Sequence, residues 1–168
     1  FCYDRMTGKL RFLKQFARPN LPVIAPAEYD GAMYVVIGYE LWKIDPKTAV
    51  ISLDRRLENS AVCPVVVTQD SMYISGLDNR ISCYDLKGNW LKFQVTADSD
   101  SRITAVTVDN EFMWFATEKG NIHCSSAYDQ LKKWSFNTTS HIKGSIIKHD
   151  KFIYVSCEDT MLYKLNAV

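Results

Sequence analysis

The sequence lacks the uninterrupted apolar run of about 18 residues that a membrane-spanning helix requires. It also lacks an excess of one charge, because 20 Lys and Arg residues face 19 Asp and Glu residues and leave a net charge of +1. The basic residues are spread along the chain, whereas proteins that bind nucleic acids or dock on anionic membranes usually concentrate them. We therefore expect a soluble globular domain that neither inserts into a membrane nor binds nucleic acid.

Motifs for catalysis and cofactor binding are also missing. The chain has only seven glycines and no Gly-rich phosphate loop, and its five cysteines include no Cys-x-x-Cys pair. The three histidines, His123, His141 and His149, are too dispersed for us to assign a triad or a metal cluster. We predict no catalytic residue, no cofactor-binding residue, no metal ligand and no cofactor, and the sequence leans against an enzyme.

The sequence does contain a repeat of about forty residues. An aromatic residue marks one segment of each copy, with spacings of 39, 41 and 40 positions between Tyr34, Tyr73, Trp114 and Tyr154. A second segment closes on a polar residue, with spacings of 41, 40, 41 and 40 positions between Asp4, Asp45, Asp85, Ser126 and Asn166. Two landmarks that keep one period across the whole chain indicate a repeat protein.

Each copy contains four short runs rich in Val, Ile, Tyr, Trp and Phe, the residues that suit β-strands. Turn residues such as Asp30-Gly31 and Lys119-Gly120-Asn121 separate the runs. No segment sustains the periodicity of a helix. Four strands per forty residues predict an all-β fold of β-propeller blades, each blade a four-stranded antiparallel sheet. The predicted first strands are residues 22–26, 62–66, 103–107 and 142–146.

The period divides the chain unevenly into blades. Residues 1–15 form the end of one blade, and further blades occupy residues 16–56, 57–96, 97–138 and, incompletely, 139–168. The count is seventeen strands, which does not fit a closed ring of four blades, so we expect an open arc of a larger propeller. The start at Phe1 suggests an excised piece or a processed product. An open arc exposes an apolar face and strand edges that require remaining blades, another protein or self-association.

The repeat resembles the quinoprotein-type (PQQ-like) β-propeller family. That family's blade reads roughly Pro-Ala-Val, Asp-Gly, Val-Tyr-Val-Gly and Leu-Tyr-Ala-Leu-Asp-x-x-Thr-Gly-Lys. This chain has Asp30-Gly31, Met33-Tyr34-Val35-Val36 and Leu41-Trp42-Lys43-Ile44-Asp45 in the same order, and Asp4-Arg5-Met6-Thr7-Gly8-Lys9 matches the turn. Trp134 falls near the family's fourth-strand tryptophan. The third and fourth copies depart from the pattern, with Ala105, Ser145, Ser126 and Asn166 at positions where the family has Pro or Asp.

The resemblance implies the fold more strongly than the function. Enzymes of this family resemble eight-bladed discs with a quinone and Ca²⁺ at the centre, and they are much longer than this chain. We cannot place in this sequence a set of Glu, Asn and Asp residues equivalent to the one that holds their metal. We therefore do not expect this chain to bind the quinone. WD-type propellers rank second, because their Gly-His and Trp-Asp pairs are absent.

The recurring residues are interpreted as structural. The blades are built around the recurring aromatic residues Tyr34, Tyr73, Trp114 and Tyr154. The turn that leads to the fourth strand is expected to form hydrogen bonds with the carboxylates of Asp4, Asp45 and Asp85. Cys2, Cys83 and Cys124 share one repeat position and act as small buried apolar residues, and no partner is assigned to Cys63 or Cys157. The odd cysteine count favours a reducing compartment but does not identify one. Asn137-Thr138-Thr139 fits the glycosylation pattern, which is common by chance.

The sequence thus predicts a non-catalytic PQQ-like propeller module that binds another protein or acts as a scaffold. The alternative is an arc of a quinoprotein-like enzyme or ligand sensor whose pocket is completed by further blades. Binding is expected in the longest loops, at residues 14–21, 54–61 and 96–102, although the polar loop 96–102 also suits a mobile connector.

Overall fold

The structure, a computed structural model, describes residues 2–13, 24–88, 90–98 and 100–168. These residues form seventeen β-strands and no helix. The strands are β1 (Cys2–Tyr3), β2 (Leu10–Phe12), β3 (Ala27–Tyr29), β4 (Ala32–Ile37), β5 (Glu40–Ile44), β6 (Ile51–Arg56), β7 (Val66–Val67), β8 (Ser71–Ser75), β9 (Arg80–Asp85), β10 (Leu91–Thr96), β11 (Ile103–Val108), β12 (Phe112–Thr117), β13 (Asn121–Ser126), β14 (Lys132–Asn137), β15 (Ile146–His149), β16 (Phe152–Ser156) and β17 (Leu162–Asn166).

The strands pair into antiparallel sheets in chain order, as the repeat predicts. Blade 1 is β3–β6, blade 2 is β7–β10 and blade 3 is β11–β14, while blade 4 has the three strands β15–β17. Strands β1 and β2 form a separate pair. The first strands of successive blades adjoin one another, so the sheets are arranged side by side about their inner edges. The prediction of an all-β arc of propeller blades is confirmed.

Apolar residues fill three layers between the four blades. Alternate residues of each second strand point to opposite faces of the sheet, so one strand contributes to two layers. In blade 3, Met113 and Phe115 pack against blade 2, whereas Trp114 and Ala116 pack against blade 4. The layer between blades 1 and 2 contains Tyr34, Val36, Leu41, Met72 and Ile74 among its members.

Three of the predicted first strands are displaced in the structure. In blade 1 the strand is Ala27–Tyr29 and in blade 2 it is Val66–Val67, each later than predicted. Pro26 and Pro64 explain part of this shift, because proline has no amide to donate to a sheet. In blade 4 the strand is Ile146–His149, after Gly144. Residues 22 and 23 lie outside the described residues.

A glycine fixes one turn beside the interface of blades 3 and 4. Gly120 has a φ of +91°, and a Cβ atom there would lie 2.3 Å from the backbone oxygen of Ser140. We expect Gly120→Ala to lower the free energy of unfolding by about 1–3 kcal/mol, through both backbone strain and this contact. Urea unfolding measures the loss. Gly8→Ala is the matched control, because Gly8 also has a positive φ but no atom within 4 Å of its Cβ position. Equal losses in both variants would exclude a contribution from the close contact.

Candidate functional site

The outer face of blade 4 differs from the faces of the other blades although its sequence follows the same repeat. The first residue of the recurring third-strand pattern is fully buried in blades 1, 2 and 3, at Leu41, Ile81 and Ile122 (each 0% exposed). The equivalent residue of blade 4, Leu162, is 67% exposed. The exposed leucine therefore lies on a face of blade 4 against which no other blade packs among the described residues.

Other side chains extend this surface, which we call the open face. Ile147 is 62% exposed and pairs across strands β15 and β16 with Tyr154. Tyr154 is half-buried, whereas its equivalents Tyr34, Tyr73 and Trp114 are buried between blades. The ammonium group of Lys164 lies 3.9 Å from the centre of the Phe152 ring and 5.9 Å from that of Tyr154. The open face (Ile147, Phe152, Tyr154, Leu162 and Lys164) is therefore an apolar and aromatic surface, and the ammonium groups of Lys164 and Lys151 both lie near its Phe152 ring.

The recurring carboxylates lie in the turns between third and fourth strands. The Asp45 carboxylate accepts hydrogen bonds from the backbone amides of Lys47 (2.8 Å) and Thr48 (3.2 Å). Hydrogen bonds from the Thr48 side chain and these amides hold the pKa of Asp45 below its ordinary value. Asp4 and Asp85 accept equivalent backbone bonds, and in blade 3 the hydroxyl of Ser126 accepts them instead. The structural role of these residues stays a proposal, which this geometry supports.

Three buried cysteine side chains, those of Cys63, Cys83 and Cys124, are unsuited to redox or nucleophilic chemistry. Cys83 and Cys124 are fully buried and Cys63 is 2% exposed. Burial raises the pKa of the Cys63 thiol to about 11 and that of Cys124 to about 11, so both thiols stay protonated at neutral pH. The side chain of Cys2 lies outside the described residues. Within those residues no group of three His, Cys, Asp or Glu side chains could hold a metal ion.

The described residues of loop 96–102, which are 96–98 and 100–102, include side chains that bond to blade 3. The backbone amide of Lys119 donates to the Ser101 hydroxyl (3.0 Å), and the Lys119 ammonium pairs with Asp100. Asp98 lies 3.2 Å from Nε2 of His123, a buried histidine that stacks on the Phe115 ring at 4.8 Å. The sequence alone does not pair Asp98 with His123, because 25 positions separate them along the chain. Of the other candidate loops, residues 14–21 lie outside the described residues, and loop 54–61 contains the buried residues Leu57, Ser60 and Ala61.

The burial of His123 predicts a pH dependence of stability. Burial lowers its pKa from the ordinary value of 6.5, and the charge of Asp98 only partly opposes this effect. The unfolded chain then binds more protons than the folded chain, so stability present above about pH 6.5 is lost as the pH falls through the lowered pKa. We expect this histidine to contribute a slope no steeper than about 1.4 kcal/mol per pH unit. Urea unfolding of the wild type and of His123→Gln at pH 7.5 and 5.5 measures it, and identical changes in both proteins would contradict it.

A polar cleft lies between blades 2 and 3, on the side where the turns carry the recurring carboxylates. Its volume is about 520 Å³, and its lining includes Asp70, Tyr73, Lys92, Asp109 and Tyr128. The Lys92 ammonium donates to the Ser71 hydroxyl (2.8 Å) and lies 3.5 Å from the Asp85 carboxylate. The charge of Lys92 is thus engaged by groups of its own blade, while Asp109 pairs with Lys148 of blade 4. Among the described residues, no helix could cross a membrane.

No protein-family model matches the chain, and no curated protein matches it. Solved structures do match. The computationally designed Ika4 protein superposes with a TM-score of 0.76 at 9% sequence identity, over 90% of this chain and 95% of Ika4. BamB from Moraxella catarrhalis, a PQQ-like β-propeller protein, superposes with a TM-score of 0.70 at 15% identity, over 86% of this chain and 46% of BamB. The computationally designed Ika8 protein gives a TM-score of 0.74 at 12% identity, over 86% and 46%.

The chain therefore spans about half the length of BamB and of Ika8, and nearly all of Ika4. Identities this low show a shared fold and nothing about activity. Together with the sheet topology, they show that the chain is an arc of β-propeller blades similar in fold to part of BamB.

Proposed function

We propose that the chain is a non-catalytic, PQQ-like propeller module that binds another protein and acts as a scaffold. One observation carries this proposal. Leu162 is 67% exposed at a repeat position where Leu41, Ile81 and Ile122 are fully buried. An exposed apolar patch on a rigid scaffold is typical of a protein-protein interface. The likeness to BamB supports the propeller scaffold on which such a surface would be presented.

The open face has the composition of an interface core. Its aromatic residues, Phe152 and Tyr154, are anchored in the central strand of blade 4 and are half-buried already. Aromatic side chains held in this way lose little conformational entropy on binding and contribute much of the energy of protein interfaces. Ile147 and Leu162 extend the same surface with exposed apolar area. We therefore place the partner on this face rather than in the loops.

Charge substitutions on the open face test this proposal. Ile147→Glu and Leu162→Glu each place a carboxylate where a partner would exclude water. The matched control is Leu131→Glu, which changes a leucine that is 59% exposed and directly precedes β14, the outer strand of blade 3. We expect the wild type and Leu131→Glu to recover the same partner in quantitative pull-down experiments, in which the mass of the recovered complex is measured. The two open-face variants are expected to lose it, with unchanged urea unfolding.

A partner retained equally by all variants would remove the open face from the proposal. A monomer that recovers no partner but binds Ca²⁺ or a quinone would overturn the scaffold function and favour the alternative, a ligand-sensing or quinoprotein-like arc. The polar cleft between blades 2 and 3 is the observation that favours this second candidate. Calorimetric titration of the isolated chain with Ca²⁺ separates the two functions.

A further inference from the structure

The polar cleft between blades 2 and 3 has two walls, and each wall belongs to a complete four-stranded blade. Asp70, in the turn between β7 and β8, and Lys92 and Phe93 of β10 line the wall of blade 2. Asn110, in the turn between β11 and β12, and Tyr128, in the turn between β13 and β14, line the wall of blade 3. Both blades also pack against a further blade on their other face, so the cleft is complete within the described residues. Its volume of about 520 Å³ lies in the range of small-molecule sites.

The one ammonium group that lines the cleft is already occupied. Lys92 donates to the backbone oxygen of Asp70 (3.0 Å) and to the hydroxyl of Ser71 (2.8 Å). Its nitrogen also lies 3.5 Å from the carboxylate of Asp85. An ammonium group has three donors, and here three acceptors surround it. Lys92 is therefore poorly placed to bind a further anion such as a phosphate or a carboxylate.

The Asp109 carboxylate, on the opposite wall, is occupied as well. It accepts hydrogen bonds from the backbone amides of Glu111 (2.9 Å) and Phe112 (2.8 Å). Its second oxygen lies 3.1 Å from the ammonium group of Lys148 in blade 4. This carboxylate holds its own turn and pairs with a neighbouring blade, so it does not offer an unpaired charge to a ligand.

The remaining polar side chains of the cleft are available. Gln69, Asp70, Asn110 and Gln130 line it and are exposed, and none of these side chains has a hydrogen-bond or ionic partner among the described residues. Each amide side chain can donate and accept hydrogen bonds, and the carboxylate accepts them. This mixture suits hydroxyl groups, because a hydroxyl also donates and accepts.

Tyr128 adds an aromatic surface to these polar groups. Its side chain is 72% exposed, while its backbone amide donates to the Ser126 hydroxyl (3.2 Å) and so anchors the turn that carries the ring. An exposed ring beside hydrogen-bonding groups can cover the apolar C–H face of a sugar while those groups bind its hydroxyls. Phe93 lies on the other wall and is half-buried, with the Tyr73 ring 6.4 Å away.

We propose that this cleft binds a neutral saccharide, with the Tyr128 ring against its C–H face and Gln69, Asp70 and Asn110 bonded to its hydroxyl groups. The inference goes beyond the proposed function, which places a protein on the open face of blade 4. The two sites share no residue. A small cation is the rival ligand, because Asp70 is the one charged side chain of the lining that has no ionic partner among the described residues.

Calorimetric titration of the chain with cellobiose, maltose and N,N′-diacetylchitobiose tests the proposal. We expect at least one of these disaccharides to bind with a dissociation constant below about 1 mM. The constant should not change between about 0.02 and 0.5 M NaCl, because salt screens charges and the ligand has none. Two-dimensional NMR of the labelled wild type locates the site without any substitution, and we expect the amide shifts to change around Asp70, Asn110 and Tyr128.

Substitutions of Tyr128 test the contribution of its ring. Tyr128→Ala is expected to weaken disaccharide binding at least about tenfold, whereas Tyr128→Phe keeps the ring and should retain most of the affinity. The matched control is Tyr39→Ala, which makes the same change at a tyrosine that is 49% exposed in blade 1, outside the cleft. All three variants should unfold in urea like the wild type, because both side chains are exposed.

A pair of substitutions at Asp70 separates a saccharide from a cation. Asp70→Ala removes both acceptor oxygens and should weaken disaccharide binding about tenfold. Asp70→Asn keeps one acceptor oxygen and removes only the charge, so it should weaken disaccharide binding less. Spermidine and inorganic phosphate are titrated in parallel as charged probes, and we expect neither to compete with the disaccharide.

Four results would contradict the proposal. They are the absence of binding by all three disaccharides, amide shifts outside the cleft, equal affinities of Tyr128→Ala and Tyr39→Ala, and displacement of the disaccharide by spermidine or phosphate, which would assign the cleft to a charged ligand. None of them affects the partner on the open face. Conversely, Ile147→Glu and Leu162→Glu should bind the disaccharide like the wild type, so the two proposals fail separately.

Discussion

Replacing Trp114 with alanine is expected to lower the free energy of unfolding by about 3–5 kcal/mol. The side chain is fully buried in the layer between blades 3 and 4, with the Phe112 ring 6.0 Å away. Its indole Nε1 donates to the oxygen of Ala167 at 2.8 Å, so the substitution creates a cavity and also removes a buried hydrogen bond. A loss of this size is a large part of the total stability of a typical domain, which is about 5–15 kcal/mol. Urea unfolding monitored by circular dichroism measures it.

Trp90 provides the control for this substitution. Trp90 directly precedes β10, the outer strand of blade 2, and is 59% exposed. Trp90→Ala is expected to change the free energy of unfolding by no more than about 0.5 kcal/mol. If Trp114→Ala were as mild as Trp90→Ala, blades 3 and 4 would not be packed as the structure shows.

The second large effect is expected at the repeat position shared by Leu41 and Leu162. Leu41 is 0% exposed between blades 1 and 2, so Leu41→Ala should lower the free energy of unfolding by about 2–5 kcal/mol. Leu162 is 67% exposed on the open face, so Leu162→Ala should change it by less than about 0.5 kcal/mol. The two variants make the same chemical change at the same place in the repeat, and urea unfolding compares them directly.

The outcome of this comparison distinguishes two arrangements of the chain. A large loss from both substitutions would mean that Leu162 is covered in solution, and the open face would then not exist in the isolated chain. A large loss from Leu41→Ala alone supports a face that is available to a partner.

The repeat was sufficient to predict the sheets. Strands β4, β8, β12 and β16 lie where the aromatic residues Tyr34, Tyr73, Trp114 and Tyr154 indicate, because a central strand needs large apolar residues in alternation. The first strands were harder to place. A short apolar run does not reveal which residues donate to the sheet, and Pro26 and Pro64 shifted the paired segments toward the C-terminus.

The candidate site was only partly predictable. The repeat predicts that Leu162 is buried like Leu41, because both occupy the same position in their copies. A sequence period does not reveal which copy is covered by a further blade. The sequence did predict an exposed apolar face at an open arc, but it placed binding in the loops. The pairing of His123 with Asp98 depends on the way the loop 96–102 folds back on blade 3, which spacing along the chain does not reveal.

Residue-resolved hydrogen exchange tests the open arc most directly. The amides of Ile122, Cys124 and Ser126 face β14 and should exchange slowly, as should those of Tyr163 and Leu165, which face β16. The amides of Leu162, Lys164 and Asn166 should exchange rapidly in the isolated chain, because no strand among the described residues covers them. Slow exchange at these three amides, equal to that of their equivalents in blade 3, would contradict an open blade 4.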